Sequence, residues 1–503
     1  MALQKISNGL TNALIYSTLG VFLIIGLYAG RKSRKNLDMF IKSLYSQGTL
    51  NLSLNFLAVN AGASMFISLP EVGTIAGVLG VVAYSFACIV PIIFIGYIGP
   101  VFRKHNPENW SMSSFIVQRF GPVVDIGYLL VCILFMFLYT VGELTTIYSI
   151  YGTISDINPL IPVIILCAVT TTYSAFGGVL ASFLTDGIQI TLLVVLLTIA
   201  SISIGLNVRI PQGAIQEVGL LKPTKLGWEL FYILTAALMG SSMFHQGFWQ
   251  RAFSAKTSKS LKTSCWIGAT LVFVFFTLVG MTGVIAAWSG VWSLELDPYG
   301  GTAFFYLLGS MPKWLIGVVT VAVTCLSCCA MDTLTVALAG NLYDLFRQKI
   351  GMAIIRVLII LIMVPVVVVA KKSPDVLSIF LLADLLACAT VFPILLGLMS
   401  KFSRLTQVDV VVGGIAGILG VGVFGTIYLG NASEGWHLLL LPDGLYSTDG
   451  RVLGAFLTAP IASIVFALLS MLARFLIYKL IGKKMPNYEK PSFEVSEFPD
   501  YKN

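Results

Sequence analysis

Five carboxylates and one imidazole stand inside long apolar runs of this chain: Glu71, Glu143, Asp186, Asp332, Asp384 and His245. An ionised side chain at mid-bilayer depth costs about 3 kcal/mol even on insertion scales, so each must face a cavity or a partner. The chemistry open to such groups is narrow: they hold a cation, accept N–H groups of an amide or amine, or pass a proton. Glu71 is the most suggestive, because it follows Pro70 in LSLNFLAVNAGASMFISLPEVGTIAGVLG (52–80). Proline removes a backbone donor and strains the preceding turn, and Gly62, Gly73, Gly77 and Gly80 loosen the rest. The run is therefore expected to break near Pro70. Unwound backbone at membrane depth survives only where it lines a polar cavity, which makes this stretch the first candidate binding site.

A second interrupted run ends in ALMGSSMFHQGFWQR (237–251), where Gly240, Ser241 and Ser242 break the apolar pattern and His245, Gln246 and Gln250 add polar groups. Ser64, Glu71, Ser241, Ser242 and His245 are expected to line one central site, with Phe66 and Trp249 closing it against water. Blander roles stand beside these. Solvation at an inner mouth accounts for Asp186 as well as function does, and a hydrogen bond between helices accounts for Asp332 or His245.

The elements that position these residues are membrane helices. Of 503 residues, 57% are hydrophobic and 11% charged, and the mean hydropathy is +0.91. Apolar runs recur at approximately 12–30, 52–76, 77–102, 121–152, 158–177, 180–206, 227–250, 262–289, 304–346, 353–371, 376–400, 408–430 and 453–481, an all-α polytopic membrane protein of about thirteen spans. The first run is too long for a cleavable signal and ends in RKSRK, so it is expected to stay as a transmembrane helix. The net charge of +8 is spread over loops, which reads as membrane topology and not as a nucleic-acid surface. Basic residues gather in RKSRK, FRKHNPEN, RAFSAKTSKSLK, FRQK, SKFSR and KLIGKK, placing the N-terminus outside and the C-terminus in the cytoplasm. The sequon Asn431-Ala432-Ser433 then falls in an outer loop. Eight cysteines all lie in apolar runs and read as small packing residues, since no zinc spacing completes Cys325, Cys328 and Cys329. No cofactor is expected, and no HExxH or GxSxG constellation suggests an enzyme.

One span followed by two blocks of five, each opening on an interrupted helix, is the pattern of an inverted-repeat transporter. The expected divisions are 1–51 for an extra helix and cytoplasmic loop, 52–206 for the first repeat, 207–226 for an outer loop, 227–400 for the second repeat, 401–481 for two flanking helices, and 482–503 for a disordered tail.

Three local motifs then resemble the sodium/solute symporter family, over roughly residues 12–480. GASMFIS (62–68) with GVLG (77–80) is similar to its first core helix. Tyr173-Ser174-Ala175-Phe176-Gly177-Gly178, with Thr185-Asp186 and Gln189, resembles its YxxxGG…TD..Q signature. Gln246-Gly247-Phe248-Trp249-Gln250-Arg251, with Ser254-Ala255-Lys256, resembles its DQxxxQR…AK stretch. Trp249 and PEVGTIAG (70–77) look nearest to the urea active transporters of fungi and plants. The resemblance implies a LeuT-type five-plus-five fold, alternating access, a small polar solute as one partner and a monovalent cation as the other. The family's sodium ligands would fall on the carbonyls of Ile67 and Pro70 and on Cys329 and Ala330. A thiol and a methyl are poor donors for a hard cation. A register shift would bring in Thr324 or Ser327, giving a possible sodium site of Ile67, Pro70, Thr324 and Ser327. Protons are the other coupling ion, with Glu71, Asp186, Asp332 and His245 as carriers. Urea or a related amide or amine is the expected solute; a polyamine, a vitamin or a monocarboxylate also fits, although the lack of basic residues at membrane depth speaks against an anion. The alternative class is a transporter-like solute sensor without net transport. Plasma membrane is the expected location, and no protein partner is indicated.

Overall fold

The computed structural model describes residues 4–33, 45–105, 111–347, 349–372, 375–447, 449–483 and 485. The tail expected to be disordered lies, from 486 onward, outside the described residues. Among the described residues every named element is helical: α1 Asn8–Ser33, α2 Thr49–Asn60, α3 Met65–His105, α4 Met112–Phe120, α5 Pro122–Ile154, α6 Leu160–Asn207, α7 Ala214–Val218, α8 Lys225–Phe244, α9 Gln246–Ser254, α10 Ser258–Trp288, α11 Ala303–Gly309, α12 Lys313–Leu345, α13 Met352–Lys372, α14 Val376–Leu396, α15 Gln407–Leu429, α16 Ala432–His437 and α17 Arg451–Leu480.

Among the described residues, eleven stretches are long and apolar enough to cross a membrane as they stand. Two more of the expected runs are interrupted helices: α2 continued by residues 65–76, and α8 continued by α9. Gly77 (φ 67°) divides α3, and Gly178 (φ 58°) divides α6. Both sit in a backbone region that side chains disfavour, so glycine lets two helices meet there without a loop. Hydropathy leads to about thirteen runs, and the two that are not among the eleven are these interrupted ones.

Three boundaries differ from expectation. The first break falls at 61–64, not at Pro70. Pro70 lies in the second turn of the new helix, close enough to its N-terminus that losing one amide does not divide it. In the second run, Gly240, Ser241 and Ser242 remain helical and the chain breaks at His245 (φ −80°, ψ 95°). The run expected at 304–346 divides at Pro312 into short α11 and long α12.

Helix ends are fixed locally. Thr224 accepts from the Gly227 amide, Thr257 from Ser260, and Asp375 from Leu377 and Ser378. Each such cap contributes about 1 kcal/mol. Thr406 and Asp409 form a capping box at α15. Longer ties hold the bundle ends: Arg347 reaches Asp125 at 2.6 Å, Arg119 donates to the carbonyls of Gly397, Phe402 and Leu405, and Asp409 takes Ser470 and Arg474 from α17. The segment before α2 pairs with the segment after α9, through Gln47 to Ser254 (2.9 Å) and Lys256 to Gln47 (3.0 Å). The two interrupted spans are therefore joined at one end.

Candidate functional site

Between Asn60 and Met65 the helical ladder lapses. The Ala61 amide still bonds Leu57 and Ala58, and the Met65 amide reaches only Gly62 (3.3 Å). A carboxylate from another helix fills the gap: Glu143 Oε1 on α5 accepts from the Ser64 hydroxyl at 2.5 Å and from the Ser64 amide at 3.4 Å. A negative charge at a helix N-terminus is favourable there, where amides lack partners and the dipole is positive. Gly62 is required by this approach, since a Cβ at that position would overlap the Glu143 carboxylate. The other oxygen, Oε2, is buried and has no hydrogen-bond partner.

The second break is built differently. His245 caps α9 with its own ring, Nδ1 accepting from the Gly247 amide at 3.1 Å, and its amide closes α8 onto Ser241 (3.0 Å). Across from it, Asp384 on α14 accepts from the Tyr139 hydroxyl at 2.8 Å. Tyr139 and Glu143 are one turn apart on α5, so both carboxylates address the same space.

That space is a cavity bounded by both breaks. Glu143 and Asp384 line it, with hydroxyls from Ser64, Ser68, Ser241, Ser242 and Tyr139, the His245 ring, and an apolar wall of Phe135, Phe248, Phe276 and Phe380. No lysine or arginine is among the lining residues. Four of the seven residues expected at the solute site are therefore brought together: Ser64, Ser241, Ser242 and His245. The other three are not. Phe66 packs on Phe304 (ring centroids 5.0 Å apart). Glu71 is buried away from the cavity and bonds the Tyr446 hydroxyl. Trp249 is fully buried behind the break, its indole N–H on the Met243 carbonyl at 2.9 Å and its ring edge-to-face with Phe102.

A second polar centre lies where α6, α9 and α12 meet. Asp186 and Arg251 form an ion pair at 2.9 Å with both side chains about 1% exposed. Cys329 places its sulfur 3.0 Å from Asp186 Oδ1 and 4.0 Å from the Ala58 carbonyl. Asp332 is met by Ser182 (2.9 Å), Thr185 (2.9 Å) and Tyr173 (3.1 Å). Ala330 lines the cavity. The possible sodium ligands are not gathered in one ring: the Thr324 hydroxyl is taken by Tyr151 at 2.8 Å, Ile67 abuts Gly301, and the Pro70 carbonyl lies against Gly283. The Ser327 hydroxyl is buried with no partner. Sequence reasoning counted Glu143 and Asp384 among the membrane charges without placing them in the site; their cost in hydrocarbon was the signal that could have done so.

No family model matches the chain. It is 37% identical over 497 residues to the spermidine transporter DUR31 of Candida albicans, covering 97% of this chain and 95% of that protein. It is also 20% identical over 225 residues to the urea active transporter of Saccharomyces cerevisiae, which covers 41% of this chain and 30% of that protein. Among solved structures, a Na+-coupled sialic acid symporter in a substrate-bound outward-open state superposes with a TM-score of 0.71 at 16% identity, covering 92% of this chain and 97% of that one. Mhp1, a nucleobase-cation-symport-1 family transporter, superposes with a TM-score of 0.56 at 14% identity, covering 88% and 96%. These neighbours give the fold as LeuT-type, and the chain is a membrane transporter, not an enzyme. With identity of this extent along nearly its whole length, the chain belongs to the transporter family of Candida albicans DUR31.

Proposed function

We propose that this protein is a symporter of the sodium/solute type that carries small organic amines of the polyamine class across the plasma membrane by alternating access. The observation that carries the reading is the pair of cavity carboxylates, Glu143 and Asp384, with Glu143 Oε2 buried and unpartnered and no basic side chain in the lining. A buried carboxylate is tolerated when a cation pairs with it. A polyamine supplies ammonium groups for both acids and methylenes for the phenylalanine wall, whose faces also attract cations. Urea is neutral and would leave both acids uncompensated. The spermidine named for the relative DUR31 agrees with this choice. In the same reading a monovalent cation, H+ or Na+, drives accumulation, with the N-terminus outside and the C-terminus in the cytoplasm.

Uptake of radiolabelled spermidine and, separately, urea by purified protein in sealed liposomes tests it, under imposed sodium and pH gradients. Saturable spermidine accumulation that unlabelled polyamines compete and urea does not is expected. Accumulation of urea with none of spermidine overturns the polyamine reading.

A further inference from the structure

The two breaks present different chemistry to the cavity. Building on the amine reading, on which this step rests, we infer that His245 and Asp384 at the second break form an amide-reading subsite, so that amines acylated on one nitrogen are carried beside free polyamines.

Hydrogen positions carry the argument. Around the cavity the hydroxyl protons are committed to the protein itself: Ser64 donates to Glu143 at 2.5 Å, Ser68 to the Ser64 carbonyl at 3.0 Å, Ser241 and Ser242 to the Leu238 carbonyl at 3.3 and 2.6 Å, and Tyr139 to Asp384 at 2.8 Å. Each of these oxygens keeps only lone pairs for a solute. Together with the two carboxylates they make an acceptor surface, which suits ammonium groups and offers a carbonyl nothing.

His245 differs. Its Nδ1 accepts from the Gly247 amide at 3.1 Å, so that nitrogen carries no hydrogen, and the neutral ring bears its one N–H on Nε2. The Cε1–Nδ1 edge is turned to Gly247, where an added Cβ would lie 2.8–2.9 Å from those two atoms. Nε2 meets no acceptor among the described residues, and His245 lines the cavity. The Tyr84 hydroxyl, also on the wall, has Ser68 as its acceptor. Phe135, Tyr139 and Phe248 all stand edge-to-face with the imidazole, at centroid distances of 6.1, 6.2 and 5.3 Å, and hold its plane. The donor is therefore fixed in direction before a solute arrives.

Asp384 supplies the matching acceptor. The Ser241 carbonyl takes the His245 amide at 3.0 Å while the Ser241 hydroxyl faces Asp384. Tyr139 touches both residues, with its hydroxyl on Asp384 and its ring against His245. A carboxylate beside a fixed N–H is the complement of a secondary amide, whose N–H goes to Asp384 and whose carbonyl oxygen takes the Nε2 hydrogen. The far ammonium of such a solute reaches Glu143 at the first break, and its methylenes lie along the phenylalanine wall. A carboxylate accepts from an ammonium as readily as from an amide, so free polyamines remain substrates. Urea fills the amide subsite but leaves Glu143 without its cation.

The test uses purified protein in sealed liposomes, given labelled spermidine and, separately, labelled N-acetylputrescine. Unlabelled N-acetylputrescine and N-ethylputrescine then compete, two compounds of similar shape that differ in the acyl oxygen and in the charge on that nitrogen. The wild type is expected to accumulate N-acetylputrescine. His245→Asp keeps an acceptor to cap α9 and removes the N–H. In it the inhibition constant of N-acetylputrescine is expected to rise, relative to that of N-ethylputrescine, by about tenfold or more. His245→Ser removes the donor without adding charge and is expected to move the same ratio in the same direction; it carries the test alone should His245→Asp fail to fold. Spermidine accumulation with neither uptake of nor competition by N-acetylputrescine overturns the amide subsite and leaves the amine reading standing. N-acetylputrescine accumulation without spermidine accumulation keeps the subsite and overturns the free-polyamine reading. Carriage of neither removes both. A ratio unmoved by the His245 variants gives the acyl oxygen to another donor and overturns the inference.

Discussion

Glu143 accepts the Ser64 hydroxyl at 2.5 Å across 79 residues of chain, and so a carboxylate on one helix ends the gap in another. One of its oxygens is bonded to Ser64, and the other is buried without a partner, the place the proposed solute would fill. Glu143→Gln keeps an acceptor for Ser64 and removes the charge. Truncating one partner of a buried hydrogen-bonded charge pair costs about 2–5 kcal/mol, so the KM for spermidine is expected to rise about 30-fold or more while the protein still folds. Glu143→Ala additionally orphans the Ser64 amide and lowers the melting temperature. Initial uptake rates against spermidine concentration check the first expectation, and a thermal melt checks the second. A Gln variant with unchanged KM would remove Glu143 from the solute site.

Asp384 offers a finer discrimination. It shares the cavity with Glu143 but is held by Tyr139 from the same helix that carries Glu143. Two separated acids favour a solute with two separated ammonium groups. Asp384→Asn is expected to weaken competition by diamines and polyamines by about tenfold or more, and competition by monoamines much less. Inhibition constants for a series of n-alkylamines and α,ω-diamines against labelled spermidine give the comparison; equal losses in both series would contradict it.

The Asp186–Arg251 pair is a folding element. With both groups about 1% exposed, removing one leaves an uncompensated buried charge, at a cost of about 3–5 kcal/mol. Arg251→Met is therefore expected to lower the melting temperature sharply. The double variant Asp186→Asn/Arg251→Met, which removes both charges, recovers a large part of the loss. Non-additivity in this cycle is the measurement, because distant sites would simply add.

Much of the fold was legible because hydrocarbon is a strict solvent: apolar runs, and two polar interruptions in corresponding places, leave little freedom. The site was legible in part. Ser64, Ser241, Ser242 and His245 stand within a turn of the breaks, so proximity in sequence placed them. Pro70 misled because the break depends on Glu143, a tertiary partner that no local rule names. Glu71, Phe66 and Trp249 misled because the rotation of a helix about its axis decides which side faces a cavity, and packing against Phe304 or Phe102 sets that rotation. For the same reason Glu143 and Asp384 were visible as charges but not as neighbours.

Glu71 instead belongs to a contact with the loop that carries Tyr446. Tyr446, in the turn Gly444–Tyr446, bonds the Glu71 carboxylate and also reaches the Tyr299 carbonyl at 2.7 Å, while its ring packs edge-to-face with Tyr299. The loop between α15 and α17 is thereby fastened to the broken first span. Burial, and after it the Glu71 charge, pushes the Tyr446 phenol well above its ordinary range. A raised phenol stays protonated as pH rises, so the fastening is expected to persist at alkaline pH where a free tyrosine would ionise. Amide hydrogen exchange over 441–447, corrected for its intrinsic rate, should show the same protection at about pH 7 and about pH 9.5. Tyr446→Phe keeps the ring contact and loses the bond, and it is expected to speed exchange there by about threefold to tenfold, corresponding to roughly 1 kcal/mol for one hydrogen bond. Tyr446→Ala loses both and should speed it further. Protection that falls between the two pH values, or that ignores both substitutions, would show that the loop is held by something other than Tyr446.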